Sequence, residues 1–208
     1  MTTSESRVWL GNRSHAPFES DHLVWIDMEM TGLDPDTCVP IEIATLVTNG
    51  ALEVIAEGPN LVIHQPASVL DLMDKWNTDH HGGSGLTAAS LASTISCADA
   101  ERETLSFLEQ WVTPGTSPLC GNSVYQDRRF LYRYLPTLEA FLHYRLIDVS
   151  TIKETVKRWY GVVAPPKKTS HRALDDILES IEELRWYQQT VFRDAALAPD
   201  EAPARPSH

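Results

Sequence analysis

The segment LVWIDMEM, residues Leu23–Met30, constrains the fold of this chain more than any other feature. Its apolar residues form a nearly continuous run, which is typical of a β-strand that is buried on both faces. Asp27 and Glu29 interrupt the run. Because side chains alternate along a strand, the two carboxylates share one face and lie roughly 6 to 7 Å apart. Two buried carboxylates repel each other, so the strand predicts a positive charge between them.

A second inward-facing acid is predicted near the other end of the chain. From Ser170 onward the pattern predicts a helix with an apolar stripe of Ala173, Ile177, Ile181 and Leu184. Asp176 falls on this stripe. The other acids of the helix are expected on solvated faces: Asp175, Glu179, Glu182 and Glu183.

A histidine at the start of this helix can reach the same predicted site as Asp176. His171 follows two potential capping residues, Thr169 and Ser170, and its ring can turn toward Asp176. On its own, His171 could equally be an ordinary histidine at a helix start. Asp127, in GNSVYQDRRFL, is a fourth acid of interest, although by itself it would be an ordinary helix acid beside Arg128 and Arg129.

Carboxylates that converge in a buried place favour Mg²⁺ or Mn²⁺ over zinc. Two such ions would offset the charge of the acids and clamp the attacking and leaving oxygens of a phosphodiester. A histidine with a pKa near 6.5 suits deprotonation of the attacking water. Glu42, in PIEIA, is predicted to be half-buried, and a structural hydrogen bond explains it better than catalysis.

Three motifs together resemble the DEDDh 3′→5′ exonucleases of the ribonuclease H-like fold. They are Asp27-x-Glu29, Asn122 followed five residues later by Asp127, and His171-x-Ala173-x-x-Asp176. The resemblance extends from about Leu23 to Phe192. It implies an α/β fold, with a ribonuclease H-like mixed sheet flanked by helices. It also implies two Mg²⁺ or Mn²⁺ ions held by Asp27, Glu29, Asp127 and Asp176, with His171 as the general base.

Within that family the chain resembles the members that cut very short RNA, above all 5′-phosphorylated dinucleotides, to mononucleotides. The resemblance implies that Leu33 and Trp76 wedge the two bases and that His81 lies on the substrate side. It further implies a cap over the 5′ phosphate that is built from Ser123, Ser150 and, from the other subunit of a homodimer, Tyr144 and Arg145. Without it, Leu33 and Trp76 could be core residues, Tyr144 a surface aromatic residue and Ser150 a helix cap.

Charge is unevenly distributed along the chain, whose net charge is −12. Residues 121–172 contain ten Lys and Arg residues but only four acidic residues. An acidic protein with one basic region suits a very short nucleic acid better than a long one. The main alternative is nevertheless an exonuclease that trims or proofreads longer RNA or DNA. A non-catalytic nucleic-acid-binding module is less favoured, because all five site residues are present.

The remaining features predict a reduced, non-membrane protein. Cys38, Cys97 and Cys120 have neither disulfide nor metal-ligand spacing, so we expect free thiols and a cytoplasmic location. No membrane span or signal peptide is predicted. We expect a flexible extension over residues 1–21, an exonuclease domain over 22–193 and a disordered Ala/Pro-rich tail over 194–208.

Secondary structure is predicted from periodicity and turn residues. The predicted strands are Leu23–Met30, Ile41–Val47, Ala51–Ala56, Leu61–Ile63, Pro118–Gly121 and Arg145–Val149. The predicted helices are Ser68–Trp76, Ala98–Val112, Gln126–Tyr134, one starting at Ser150 or Thr151, and the final helix from Ser170 to about Arg193.

Overall fold

A computed structural model describes residues 21–166 and 172–192. Its strands are β1 (Leu23–Met30), β2 (Pro40–Thr48), β3 (Val54–Val62), β4 (Pro118–Gly121) and β5 (His143–Asp148). They form one mixed sheet in the order β3-β2-β1-β4-β5. β1 pairs antiparallel with β2 and parallel with β4, and β4 pairs parallel with β5. The carboxyl ends of β1, β4 and β5 therefore meet at one edge, where α/β sheets commonly bind ligands.

Helices cover both faces of this sheet. Those in the described residues are α1 (Ala67–Leu70), α2 (Lys75–Gly83), α3 (Leu86–Ala92), α4 (Cys97–Leu108), α5 (Tyr125–Tyr134), α6 (Pro136–Phe141), α7 (Val149–Tyr160) and α8 (Ala173–Thr190). No helix in this part of the chain is long and apolar enough to cross a membrane. The predicted α/β class with a mixed sheet is confirmed.

Alternation along β1 decides which layer each of its side chains meets. Val24, Ile26 and Met28 pack into one buried cluster with residues of α4, α5 and α6. Trp25 packs into a second cluster, to which α7 and α8 contribute. Asp27 and Glu29 lie two and four residues after Trp25, so their side chains point to the same face, which α8 covers.

The strand prediction was wrong at β3. Ala51–Ala56 and Leu61–Ile63 were predicted as separate strands, with Gly58-Pro59 as a turn, yet Val54–Val62 is one strand. The pairing with β2 shifts register between Ala44 and Leu46, so a bulge accommodates Gly58 and Pro59. β3 is an edge strand, where a proline does not remove a hydrogen bond that the sheet needs.

Two helix starts also differ from the prediction. The segment Ser68–Trp76 is not one helix: α1 ends at Leu70, and α2 begins after Asp74, which caps it by accepting from the Asn77 amide. The α7 helix begins at Val149 rather than at Ser150 or Thr151, because Asp148 is the N-cap and accepts from the Ser150 amide. The helices α3 and α6 were not predicted. The predicted caps Thr169 and Ser170 lie outside the described residues.

The apolar stripe of α8 is confirmed, but one of its acids was misplaced. Ala173, Ile177, Ile181 and Leu184 are buried, and Asp175 is exposed. Glu183 was expected in solvent and is instead buried. Its carboxylate accepts from the Asn122 side chain and lies 3.6 Å from the Lys153 ammonium. Partners from other elements therefore keep this charge inside the protein, which helical periodicity alone does not reveal.

Candidate active site

Three of the predicted carboxylates converge where β1 faces α8. Oxygens of Asp27, Glu29 and Asp176 all lie within 4.8 Å of one another. The first two share a face of β1, and Asp176 is half-buried in the first turn of α8. An all-oxygen group of this kind fits a hard divalent cation.

Asp127, the fourth predicted ligand, lies beside this group rather than within it. It is 5% exposed, in the first turn of α5, and its Oδ1 accepts from the Met28 amide at 3.0 Å. Burial raises the pKa of Asp127, whereas the Met28 hydrogen bond lowers it. The charge of Asp127 also raises the pKa of Glu29. The structure therefore anchors Asp127 to the middle of β1, close to the three clustered carboxylates.

The Glu29 carboxyl is strongly disfavoured as an anion when no cation is present. Burial raises its pKa to about 8, and the charges of Asp176, Glu42 and Asp127 add to this rise. Arg172 acts in the opposite direction. A divalent cation would relieve both causes at once, because it replaces lost hydration and neutralises the neighbouring charges.

Sequence reasoning missed the ion pair that fixes the start of α8. Glu42 was predicted to be half-buried; it is fully buried, and both of its oxygens accept from Arg172, the closest contact being 2.6 Å. Glu42 also accepts from the Ala173 amide at 3.3 Å. The pair joins β2 to the first residue of α8, three residues before Asp176. His171, the predicted base, lies outside the described residues.

The two predicted cap serines are in contact. Ser123 follows β4 and Ser150 lies in the first turn of α7, and their hydroxyl oxygens are 3.1 Å apart. The Ser123 amide donates to Asp148 Oδ1 at 2.9 Å and to Ser150 Oγ at 3.0 Å. These bonds hold Ser123 at φ 52°, a conformation that residues other than glycine seldom adopt. Ser150 belongs to a capped helix start, as its alternative interpretation proposed, but the cap itself is Asp148.

Leu33 and Trp76 are surface residues, so the alternative that they belong to the core is wrong. Their exposed fractions are 74% and 64%. The Leu33 carbonyl accepts from the side chains of Gln126 and Arg129, which ties its loop to α5. The Trp76 ring stacks on His80, with ring centroids 4.4 Å apart. Both side chains are therefore exposed enough to contact a ligand.

His81, which was predicted on the substrate side, is buried beside the carboxylate group. It is only 1% exposed; its Nε2 lies 2.9 Å from the Met30 carbonyl oxygen, and its Nδ1 lies 4.0 Å from Glu29 Oε2. Since a carbonyl can only accept, Nε2 carries a proton. His81 therefore links α2 to the end of β1 beside the carboxylate group.

Tyr144 and Arg145 lie on β5, an edge strand of the sheet. Tyr144 is 71% exposed and Arg145 is also exposed, with its guanidinium 5.5 Å from the Tyr144 ring centroid. The neighbouring helix α5 exposes two further aromatic residues, Tyr125 and Tyr132. All four side chains are exposed on the surface of the chain.

Comparison with known sequences identifies the family. A sequence profile of the Exonuclease family matches residues 24–184. The oligoribonuclease of Hahella chejuensis is 57% identical over 175 residues, which cover 83% of this chain and 96% of that protein. The oligoribonuclease of Pseudomonas aeruginosa PAO1 is 57% identical over 174 residues, with coverages of 83% and 97%. The chain belongs to the oligoribonuclease family of 3′→5′ exoribonucleases. The resemblance predicted from its motifs is therefore confirmed.

Solved structures confirm the ribonuclease H-like fold expected for an oligoribonuclease. Exonuclease I of Methylocaldum szegediense superposes with a TM-score of 0.60 at 20% identity, covering 82% of this chain. The zinc-bound complex of Escherichia coli exonuclease I with single-stranded DNA gives 0.61 at 17% identity, again over 82% of this chain. This chain spans only 41% of either exonuclease I, so the likeness concerns the fold alone.

Proposed function

We propose that this member of the oligoribonuclease family removes mononucleotides from very short RNAs, and above all splits 5′-phosphorylated dinucleotides. One observation carries the proposal: the carboxylates of Asp27, Glu29 and Asp176 converge at the same sheet edge as the hydroxyls of Ser123 and Ser150. The carboxylates suit a cation-assisted cleavage, and the hydroxyls suit a terminal phosphate. Both groups lie near the carboxyl ends of β1, β4 and β5, so one short ligand can meet both.

Asp27, Glu29, Asp127 and Asp176 would hold two Mg²⁺ or Mn²⁺ ions. When bound, the ions supply the positive charge that stabilises the phosphorane-like transition state and the departing 3′ oxygen. The residues themselves set where this charge lies. Asp27 and Glu29 are fixed by the register of β1, and Asp127 is fixed by the Met28 amide.

His171 would accept the proton of the attacking water. Its support is the motif spacing, which puts His171 five residues before Asp176, together with the anchored start of α8 next to it. Arg172, the following residue, is held by Glu42. A neutral imidazole with a pKa near 6.5 suits this step at neutral pH.

Leu33 and Trp76 would hold the two bases of the substrate. Stacking of a base on an aromatic ring contributes about 1 to 3 kcal/mol and tolerates any base. Trp76 already has one stacked partner in His80, so its ring orientation is set before a base arrives. Selection would therefore depend on the number of nucleotides rather than on their sequence.

A homodimer would complete the phosphate cap. Ser123 and Ser150 lie in the same protomer as the carboxylates, and Tyr144 and Arg145 would come from the other subunit. The exposed aromatic residues of α5 and β5, namely Tyr125, Tyr132 and Tyr144, support a protein interface there, since aromatic residues are enriched at interfaces. The three cysteines are all unpaired, which supports the proposed cytoplasmic location.

The decisive experiment measures kcat/KM for 5′-phosphorylated RNAs of two to seven nucleotides with Mn²⁺ or Mg²⁺. The dinucleotide should be cleaved much faster than the heptamer, because a third nucleotide must displace the cap. Asp27→Asn protein, purified in parallel, controls for contaminating nucleases. A rate that increases with length would instead support the trimming of longer RNA, and a lack of turnover in any metal would support a binding module.

A further inference from the structure

Asn122 joins the two cap serines to α8 through a set of short hydrogen bonds. Its Nδ2 donates to Ser180 Oγ at 2.7 Å and to Glu183 Oε2 at 3.3 Å. Its Oδ1 accepts from Ser150 Oγ at 3.0 Å. Ser180 and Glu183 are buried, whereas Ser150 is half-buried. The amide therefore bridges the interior of the protein and the proposed phosphate site.

The orientation of this amide follows from its partners. Ser180 Oγ donates to the Asp176 carbonyl at 2.7 Å, so its only proton is already used. It must accept from Asn122. The Glu183 carboxylate, which lies 3.6 Å from the Lys153 ammonium, can also only accept. Both contacts need the amide nitrogen, which leaves Oδ1 facing Ser150.

This orientation assigns different tasks to the two cap hydroxyls. A serine hydroxyl has one proton, and that of Ser150 points to Asn122 Oδ1. Toward Ser123, Ser150 is therefore an acceptor, both for the amide at 3.0 Å and for the hydroxyl at 3.1 Å. The Ser123 hydroxyl belongs to an exposed residue, and its proton can turn from Ser150 to a phosphate oxygen.

We propose that Asn122 is a positioning residue for recognition of the 5′ phosphate: it fixes the Ser150 hydroxyl, which accepts from the Ser123 amide and hydroxyl and so holds Ser123 in place to donate to the phosphate. This inference rests on the proposed function, which places the phosphate at the two serines. It adds a residue that touches neither the substrate nor a cation. The preference for a 5′ phosphate thus depends on a half-buried amide that is anchored to the helix carrying Asp176.

The test compares KM and kcat for dinucleotides with a 5′ phosphate and with a 5′ hydroxyl. Asn122→Ala releases Ser150 and, through it, Ser123 from their fixed positions, and should raise KM for the phosphorylated substrate about tenfold, the scale of one charge-assisted hydrogen bond that is no longer held in place. KM for the 5′-hydroxyl substrate and kcat for both should change less than about twofold by the same scale. Thr155→Ala is the matched control, since the Thr155 hydroxyl donates to the Thr151 carbonyl on the exposed part of α7.

A double variant separates positioning from folding. Asn122→Asp places the new carboxylate against that of Glu183 and should lose the phosphate preference. Adding Glu183→Gln exchanges the two groups: the amide is then at position 183, and the carboxylate at position 122 still accepts from Ser150. Recovery of the preference in this pair supports the inference, even if Asn122→Ala proves unstable. The inference is overturned if Asn122→Ala folds and keeps the preference, if both substrates suffer equally, or if the folded double variant shows no recovery. A wild-type protein without phosphate preference would refute the cap itself, and the inference with it.

Discussion

Without a bound cation, the site disfavours the ionised form of Glu29. Its side chain is mostly buried, with Asp176 and Asp127 nearby, and its pKa is raised to about 8. A carboxylic acid with a raised pKa holds its proton more tightly in the folded state than in the unfolded state. Its contribution to stability is therefore complete below the unfolded pKa near 4.5 and is lost as the pH rises through 8.

The pH dependence of stability should reveal this group. We expect the free energy of unfolding of the metal-free protein to fall by more, between pH 5 and pH 8, than that of Glu29→Gln. The glutamine variant has no proton to lose at this position, so the difference between the two slopes isolates Glu29. Denaturant titrations in the presence of a chelator measure both proteins. Parallel slopes would show that Glu29 ionises normally.

The carboxylate cluster should be needed for cation binding but not for folding. Asp27→Asn and Asp176→Asn should abolish turnover and weaken metal binding, while the metal-free proteins stay folded, since each change removes a repelling charge. Calorimetric titration with Mn²⁺ measures the binding. Asp175→Asn is the matched control on the exposed side of α8 and should behave as wild type. Unchanged metal affinity in both site variants would contradict the assignment.

The proposed base should affect the rate without affecting the cation. His171→Asn should lower kcat by about 10²- to 10⁴-fold, the usual contribution of a general base. Wild-type activity should rise from about pH 6 to 8 as the imidazole loses its proton. Metal affinity, measured by the same calorimetry, should be retained. A variant that keeps a near wild-type rate would mean that the water needs no protein base.

At the level of secondary structure, α8 depends on a contact from β2. Glu42→Ala removes the carboxylate that holds Arg172 and the Ala173 amide. It should lower the free energy of unfolding by about 2 to 3 kcal/mol, because buried hydrogen bonds to a charged group are lost. Glu154→Ala, which removes an exposed pair with Arg158, should change it by less than about 0.5 kcal/mol. Thermal and denaturant unfolding measure both variants. If Glu42→Ala loses no more stability than Glu154→Ala, the contacts of Glu42 do not stabilise the start of α8.

Elements with a strong period were predictable from sequence, and contacts between elements were not. β1 was predicted with its observed bounds, because a nearly continuous apolar run marks a strand that is buried on both faces. The buried stripe of α8 was predicted from helical spacing. β3 was divided in the prediction, since a bulge hides Gly58-Pro59 within a strand. The burial of Glu183 and the pairing of Glu42 depend on residues far away in sequence, and no local pattern reports them.

At the level of the whole molecule, the proposed site is incomplete in one protomer. The carboxylates and the cap serines belong to one chain, but the exposed pair Tyr144 and Arg145 would serve the other subunit. Arg145→Ala should raise KM for the 5′-phosphorylated dinucleotide about ten- to a hundredfold, because a charge-assisted contact is lost. Cleavage of a heptamer, which does not use the closed cap, should suffer less. Steady-state kinetics on both substrates measures the difference.

Complementation between subunits tests the shared two-nucleotide site most directly. Arg145→Ala and Asp27→Asn chains carrying different affinity tags can be combined and the mixed dimers isolated. In such a dimer one site has intact carboxylates and receives an intact Arg145, while the other site lacks both. The mixed dimer should therefore regain about half of the wild-type activity on the phosphorylated dinucleotide, although neither parent cleaves it well. Activity no higher than the average of the two parents would show that Arg145 acts within its own subunit, and would contradict the shared site.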